Sequence, residues 1–119
     1  MPEAISDSST LIHLAGIGRL GLLNVFYDKV FITPAVWQEV VEEGGGRPGA
    51  EELTDARAAS WIEIVAPANE SLVRLLEREL HKGEAEAIAL AIERHTEVIF
   101  LDELEARQPR RSTGSGRRA

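Results

Sequence analysis

Carboxylates directly follow two predicted strands of this chain. Asp7 follows the short segment 3–6, and Asp102 and Glu103 follow the apolar run 98–101. In a parallel α/β sheet, ligands bind beyond the carboxyl ends of the strands. If these two strands lie centrally in one sheet, we expect their acids to be neighbours.

Two further acids are predicted to lie on helices. Glu39 occurs among the apolar residues of one helix, and Glu84 begins another. Ile88 and Ala91 follow Glu84 at i+4 and i+7, so the three residues share the helical face that must meet the sheet. Glu86 is turned by roughly 200° from Glu84 and cannot share that face.

Acids gathered from distant parts of a chain repel each other unless a cation neutralises them. Mg²⁺ or Mn²⁺ suits a site made only of oxygen ligands, held by a few carboxylates together with water and substrate phosphate. Such an ion can generate hydroxide and stabilise a phosphorane-like transition state. The chemistry that these acids predict is therefore phosphodiester hydrolysis.

Each of these acids also has an explanation that involves no metal. Asp7 precedes three hydroxyl residues and could simply cap the next helix. Glu39 could be a solvated helix residue, and Glu84 could complement the dipole at a helix start. Spacing alone leaves both roles open for Asp7.

The composition of the 119-residue chain limits the classes of function. It has no cysteine, which excludes disulfides, a thiol nucleophile and thiolate metal sites. Its three histidines share no ligand spacing. No apolar run approaches the roughly 20 residues of a membrane span. The N-terminus lacks the features of a signal peptide, so we expect a cytoplasmic protein.

The charge of the chain is unevenly distributed. The net charge is −7, but five of the thirteen Lys and Arg residues follow Glu105, which leaves residues 1–105 at −12. An acidic body argues against simple electrostatic binding of nucleic acid. Residues 108–119 are rich in Pro, Arg, Ser, Thr and Gly, and they predict a basic, disordered tail after a domain of residues 1–107.

Apolar segments that favour strands alternate with helical patterns along the chain. Strands are predicted at 3–6, 30–33, 61–65 and 98–101. This alternation predicts an α/β protein with a parallel sheet of about four strands and helices on its faces. The strands are continuously apolar, as expected for strands buried on both faces.

Local signals predict where several helices begin and end. Thr33 is suited to cap a helix that starts at Pro34. Asn69 or Ser71 is predicted to cap a later helix, and Gly83 is predicted to end it.

Five short blocks, spread over about residues 3–107, resemble those of a known family in the same order. They are ISDSSTLIHLA at 5–15, ITPAVWQEV at 32–40, GRPGA at 46–50, GEAEAIALA at 83–91 and IFLDE at 99–103. The chain resembles the PIN-domain ribonucleases, most closely the subgroup DUF3368. That subgroup is similar to the VapC toxins of VapBC-type toxin–antitoxin pairs.

The resemblance implies a three-layer PIN-like fold with a parallel sheet between helices. It also implies a divalent-metal-dependent endoribonuclease in which three or four acids bind Mg²⁺ or Mn²⁺. The catalytic and metal-binding acids carried over by position are Asp7, Glu39, Glu84 and Asp102, with Glu103 as a further metal ligand.

Two of these positions have alternatives. Glu86 could replace Glu84 as the third acid, and either Asp102 or Glu103 could be the fourth. The helical-face argument favours Glu84. Ser9 falls where the family often has a hydroxyl that steadies the first acid, and a helix-capping role is equally compatible with its position.

The resemblance further implies a toxin with an RNA substrate and a cognate antitoxin, no membrane association, and it allows a homodimer. Relatives usually continue past the fourth acid with a helix and a fifth short strand. Here residues 105–107 begin that helix, and the sequence then turns to the basic tail. This resembles a truncated, frameshifted or extended end.

Two other classes of function follow as alternatives. A catalytically impaired PIN-like module would bind a protein partner or RNA without turnover. A flavodoxin-like or response-regulator-like domain would also bind Mg²⁺ through acids at the sheet edge. Against the second, the chain has no lysine after a late strand, and its third acid is on a helix.

Overall fold

Four parallel strands form one sheet in the computed structural model, which describes residues 2–101. The strand order is β3-β2-β1-β4. The strands are β1 Glu3–Ser6, β2 Lys29–Ile32, β3 Ile62–Ile64 and β4 Ile99–Phe100. All four predicted strands are therefore confirmed. Within the described residues β1 lies centrally but β4 lies at the edge, so only one of the two acid-bearing strands is central.

Six α-helices connect and cover the strands in the described part of the chain. They are α1 Ser8–Gly16, α2 Leu22–Phe26, α3 Pro34–Trp37, α4 Ala50–Ala58, α5 Glu70–Leu76 and α6 Lys82–Arg94. α3 continues without a break into the π-helical segment Gln38–Glu42.

The sheet is buried on both of its faces, as the apolar strands predicted. Val30 and Ile32 of β2 belong to the larger core cluster, which α1, α3 and α4 cover. Phe31 points to the opposite face and packs with Ala87 and Leu90 of α6. Burying each such side chain contributes roughly 1.5–3 kcal/mol. The architecture is thus a three-layer α/β fold with a parallel sheet between two helical layers.

Two predicted helix caps are confirmed. The hydroxyl oxygen of Thr33 accepts a hydrogen bond of 3.4 Å from the Val36 amide, and Pro34 is the first residue of α3. The side chain of Asn69, rather than Ser71, caps α5 by accepting from the Leu72 amide at 3.0 Å.

One predicted helix boundary is wrong. Gly83 was expected to end the helix that carries residues 72–80, but α5 ends at Leu76 and Gly83 lies inside the first turn of α6. The physical reason is that a single glycine costs a helix only about 1 kcal/mol relative to alanine, so Gly83, which is buried beside Glu39 and Ser8, need not end a helix.

Within residues 2–101, no helix combines the length and the apolar character needed to cross a membrane.

Candidate active site

Asp7 lies at the carboxyl end of β1, where the chain turns into α1. Its side chain is 1% exposed and its Oδ1 accepts a hydrogen bond of 2.9 Å from the Thr10 amide. The capping role that the sequence offered as an alternative is therefore present. A carboxylate has two oxygens and about four acceptor positions, so one capping bond is compatible with metal binding.

The end of β4 lies directly beside Asp7. The Asp7 amide donates to the carbonyl oxygen of Phe100 at 3.0 Å. The carboxyl ends of β4 and β1 therefore lie side by side, at the same end of the sheet. Asp102 and Glu103, the proposed fourth acid and its neighbour, fall outside the described residues.

Glu39 lies at the second position of the π-helical segment. This segment is defined by wider hydrogen bonding, in which the Glu43 amide donates to the Gln38 carbonyl at 2.8 Å. Oε1 of Glu39 accepts a hydrogen bond of 2.7 Å from the Ser8 hydroxyl. Glu39 is half-buried, so it is not the fully solvated helix residue considered above. π-Helical turns inside α-helices occur frequently at functional sites.

Glu84 lies in the first turn of α6 and is 3% exposed. It lines a cleft of about 400 Å³ together with Ser8 and Glu39. Gly83 joins these groups, because a Cβ on Gly83 would lie 3.5 Å from Oε1 of Glu39 and 3.7 Å from Oγ of Ser8. The starts of α1 and α6 and the π-helical segment thus meet at one cleft.

Glu86 has a different environment from Glu84. Its Oε1 accepts a hydrogen bond of 3.1 Å from the Ala35 amide, in the first turn of α3. Such a bond satisfies one of the amides that a helix start leaves without a backbone partner. The structure thus gives Glu86 a helix-capping contact, whereas Glu84 lines the cleft.

The sequence reasoning missed Ser8 and Lys82 as residues of this cleft. The resemblance pointed to Ser9, which is 9% exposed, as the hydroxyl near the first acid. In the structure the neighbouring Ser8 donates a hydrogen bond to the second acid, Glu39. A hydroxyl directly after Asp7 and a lysine two residues before Glu84 were the available signals.

The donor chemistry of the predicted acids fits a divalent cation, although the described structure brings only two of them to the cleft: Glu39 and Glu84 line it, and Asp7 does not. Asp7, Glu39 and Glu84 offer only carboxylate oxygens, which are the ligands preferred by Mg²⁺ and Mn²⁺. Two of these acids, Asp7 and Glu84, are almost fully buried, at 1% and 3% exposure. The absence of a Cβ at Gly83 leaves space beside the Glu39 carboxylate. Among residues 2–101, no group of three or more His, Asp or Glu side chains is placed so that it could hold a metal ion.

The amino-acid sequence matches the model of a known domain family. The family model DUF3368, a PIN domain, matches residues 3–114. The chain therefore belongs to this PIN-domain family, and the membership indicates a nuclease-type, hydrolytic function. Comparisons with curated proteins and with solved structures returned no significant match.

Proposed function

We propose that the chain is a divalent-metal-dependent endoribonuclease that hydrolyses phosphodiester bonds of RNA. The observation that carries this proposal is the meeting of Glu39 and Glu84 in one cleft beside Ser8. PIN-family membership supports a nuclease. The all-oxygen donor set supports Mg²⁺ or Mn²⁺ as the cofactor.

In this proposal Asp7, Glu39 and Glu84 hold the cation, and Asp102 with Glu103 completes the set as predicted from the sequence. When bound, the cation would supply a nucleophile at neutral pH and stabilise the charge that develops on the phosphoryl oxygens. Water attacks phosphorus as the P–O3′ bond breaks. The products are a 3′-hydroxyl and a 5′-phosphate.

The chain's own residues contribute by orienting these acids. The Thr10 amide fixes the Asp7 carboxylate, and the Ser8 hydroxyl fixes the Glu39 carboxylate. Hydrogen bonds to an ionised acceptor are roughly twice as strong as neutral ones, so they restrict the acids to few rotamers. A site held in this way loses little free energy to reorganisation during the reaction.

We further propose that the chain acts in the cytoplasm as the toxin of a type II toxin–antitoxin pair. The similarity of the subgroup to VapC toxins supports this role. An antitoxin would then restrain the nuclease by binding it. Expressing the chain alone should arrest growth, and Glu84→Gln, which removes a proposed metal ligand, should relieve the arrest.

The test of the nuclease is incubation of the purified full chain with single-stranded RNA in Mg²⁺ or Mn²⁺. The proposal is supported if EDTA stops the cleavage, the Glu84→Gln variant does not cleave, and the Glu86→Gln variant still does. RNA that is bound but remains intact in both metals would favour the alternative, a PIN-like module that binds without turnover.

A further inference from the structure

Two cations line the same cleft as the acids. Arg47 lies in the loop after the π-helical segment, and Lys82 is the first residue of α6. Both are exposed, and neither forms a salt bridge with any other residue of the described range. The segments that supply Glu39 and Glu84 thus each bring a cation to the cleft as well.

Several other cations of the described region have clear structural contacts. Lys29 forms a salt bridge of 3.2 Å with Glu63. Arg57 lies over the Trp37 ring at 4.8 Å, and Arg94 lies over the Phe31 ring at 4.2 Å. Among residues 2–101, Arg47 and Lys82 have no partner of these kinds, and both border an acidic cleft. Their position is explained if the ligand of the cleft carries negative charge.

The charge balance of the cleft supports an anionic ligand that binds together with a cation. Three acids line the cleft, Glu39, Glu43 and Glu84, against the two cations, so the charge of the lining is net negative. Residues 1–105 as a whole carry −12. An RNA strand therefore needs local positive charge to approach the acids, and the two cations supply it next to the metal ligands.

We propose that Arg47 and Lys82 form a binding site for backbone phosphates of single-stranded RNA next to the phosphate that is cleaved. This inference rests on the proposed function and adds the residues that hold the strand. The Arg47 guanidinium can bind a phosphate through two parallel hydrogen bonds, and the Lys82 ammonium acts as a compact point charge. A flexible single strand can bring neighbouring phosphates to both cations, which line the same cleft as the acids.

The chain offers matched controls for both residues. Its only two lysines are Lys82, at the cleft, and Lys29, at the opposite end of β2 from the site. Arg19 is exposed between α1 and α2 and lines no part of the cleft, so it is the control for Arg47. The four variants Lys82→Gln, Lys29→Gln, Arg47→Gln and Arg19→Gln each remove one positive charge from the full chain.

The experiment measures the affinity of each variant for a fluorescent single-stranded RNA oligonucleotide by anisotropy in Ca²⁺, over a series of salt concentrations. Cleavage of the same RNA in Mg²⁺ and Mn²⁺ is measured in parallel. Lys82→Gln and Arg47→Gln should each weaken binding several-fold and flatten the slope of log K against log salt by about 0.7. In the cleavage assay these two variants should raise KM and change kcat little. Lys29→Gln and Arg19→Gln should match the unaltered chain.

The outcomes separate this inference from the proposed function. If the unaltered chain cleaves RNA but all four variants bind alike, the phosphate site is wrong and the nuclease stands. If the expected pattern of binding appears without cleavage in either metal, the phosphate site stands and the nuclease fails. Absence of RNA binding by the unaltered chain overturns the phosphate site.

Discussion

The Ser8 hydroxyl donates a hydrogen bond of 2.7 Å to Oε1 of Glu39, across 31 positions of sequence. This bond connects the first residue of α1 to the π-helical segment, next in sequence to Asp7, the acid that follows β1. Because its acceptor is a carboxylate, this bond is stronger than a neutral one and holds Glu39 in one orientation. The cleft therefore depends on a residue that is not itself among the predicted metal ligands.

Replacing Ser8 by Ala tests this relationship. Loss of one hydrogen bond to a charged group costs about 1.5–3 kcal/mol, so we expect RNA cleavage to fall at least roughly tenfold. Mn²⁺ affinity, measured by calorimetry, should fall with it. Ser71→Ala, at an exposed position of α5, is the control. Equal activity of the two variants would show that Glu39 needs no support from Ser8.

Asp7 has two separable roles, and two substitutions distinguish them. Asn caps helices as well as Asp, so Asp7→Asn should retain the melting temperature without metal while losing Mn²⁺ binding and cleavage. Asp7→Ala should lose Mn²⁺ binding and cleavage as well, and it should also lose the helix cap. The lost cap destabilises the fold by about 1 kcal/mol, which lowers Tm by roughly 4–8 °C in a domain of this size. Retention of Mn²⁺ binding in the Asn variant would leave Asp7 with the cap alone.

Glu84 and Glu86 make a matched pair on one helix. Glu84→Gln should reduce cleavage by at least roughly a hundredfold, as expected when a charge acting in the transition state is removed. Glu86→Gln keeps an oxygen that can accept from the Ala35 amide, so activity should change little. Cleavage rates and thermal melts of both variants test whether Glu84 is the third acid. Similar residual rates for the two variants would refute that assignment.

Gly83→Ala should separate stability from activity. The added Cβ would lie 3.5 Å or more from its neighbours, which is ordinary van der Waals contact. Alanine is favoured over glycine in a helix by roughly 0.5–1 kcal/mol, so Tm should remain or rise. The methyl group occupies the space beside the Glu39 carboxylate, and we expect weaker Mn²⁺ binding and slower cleavage. Gly21→Ala, with open space around it, is the control, and full activity of Gly83→Ala would mean that this space is not used.

The position of the domain boundary is also testable. The sequence predicts a tail from residue 108, whereas the family match extends to residue 114. We expect a chain that ends at Arg107 to melt close to the full chain. A large loss of stability on that deletion, absent when the chain ends at residue 114, would place the boundary further along the chain.

The sequence predicted the features that depend on local chemistry. β-Branched and aromatic residues identified β2, and Thr33 before Pro34 identified the start of α3. The choice of Glu84 over Glu86 for the cleft followed from helical geometry, and the structure brings Glu84 alone of the two to the cleft lining.

Features that depend on long-range contacts could not be predicted in this way. Ser8 meets Glu39 only because α1 and the π-helical segment pack together. The buried position of Gly83 likewise follows from packing, whereas its residue type alone suggested a helix end. The change from α- to π-helical hydrogen bonding after Trp37 has no signal in the side chains of residues 38–42.

The π-helical segment also gives the chain a natural position for a one-residue deletion. Segments of this kind contain one residue more per turn than the α-helix around them, so removal of an exposed residue such as Glu42 would restore a regular helix. The wide turn takes up the extra residue locally, so its removal would leave Glu39, which precedes it, at the cleft. Homologues that differ by this single insertion would thus share the same acids at the cleft.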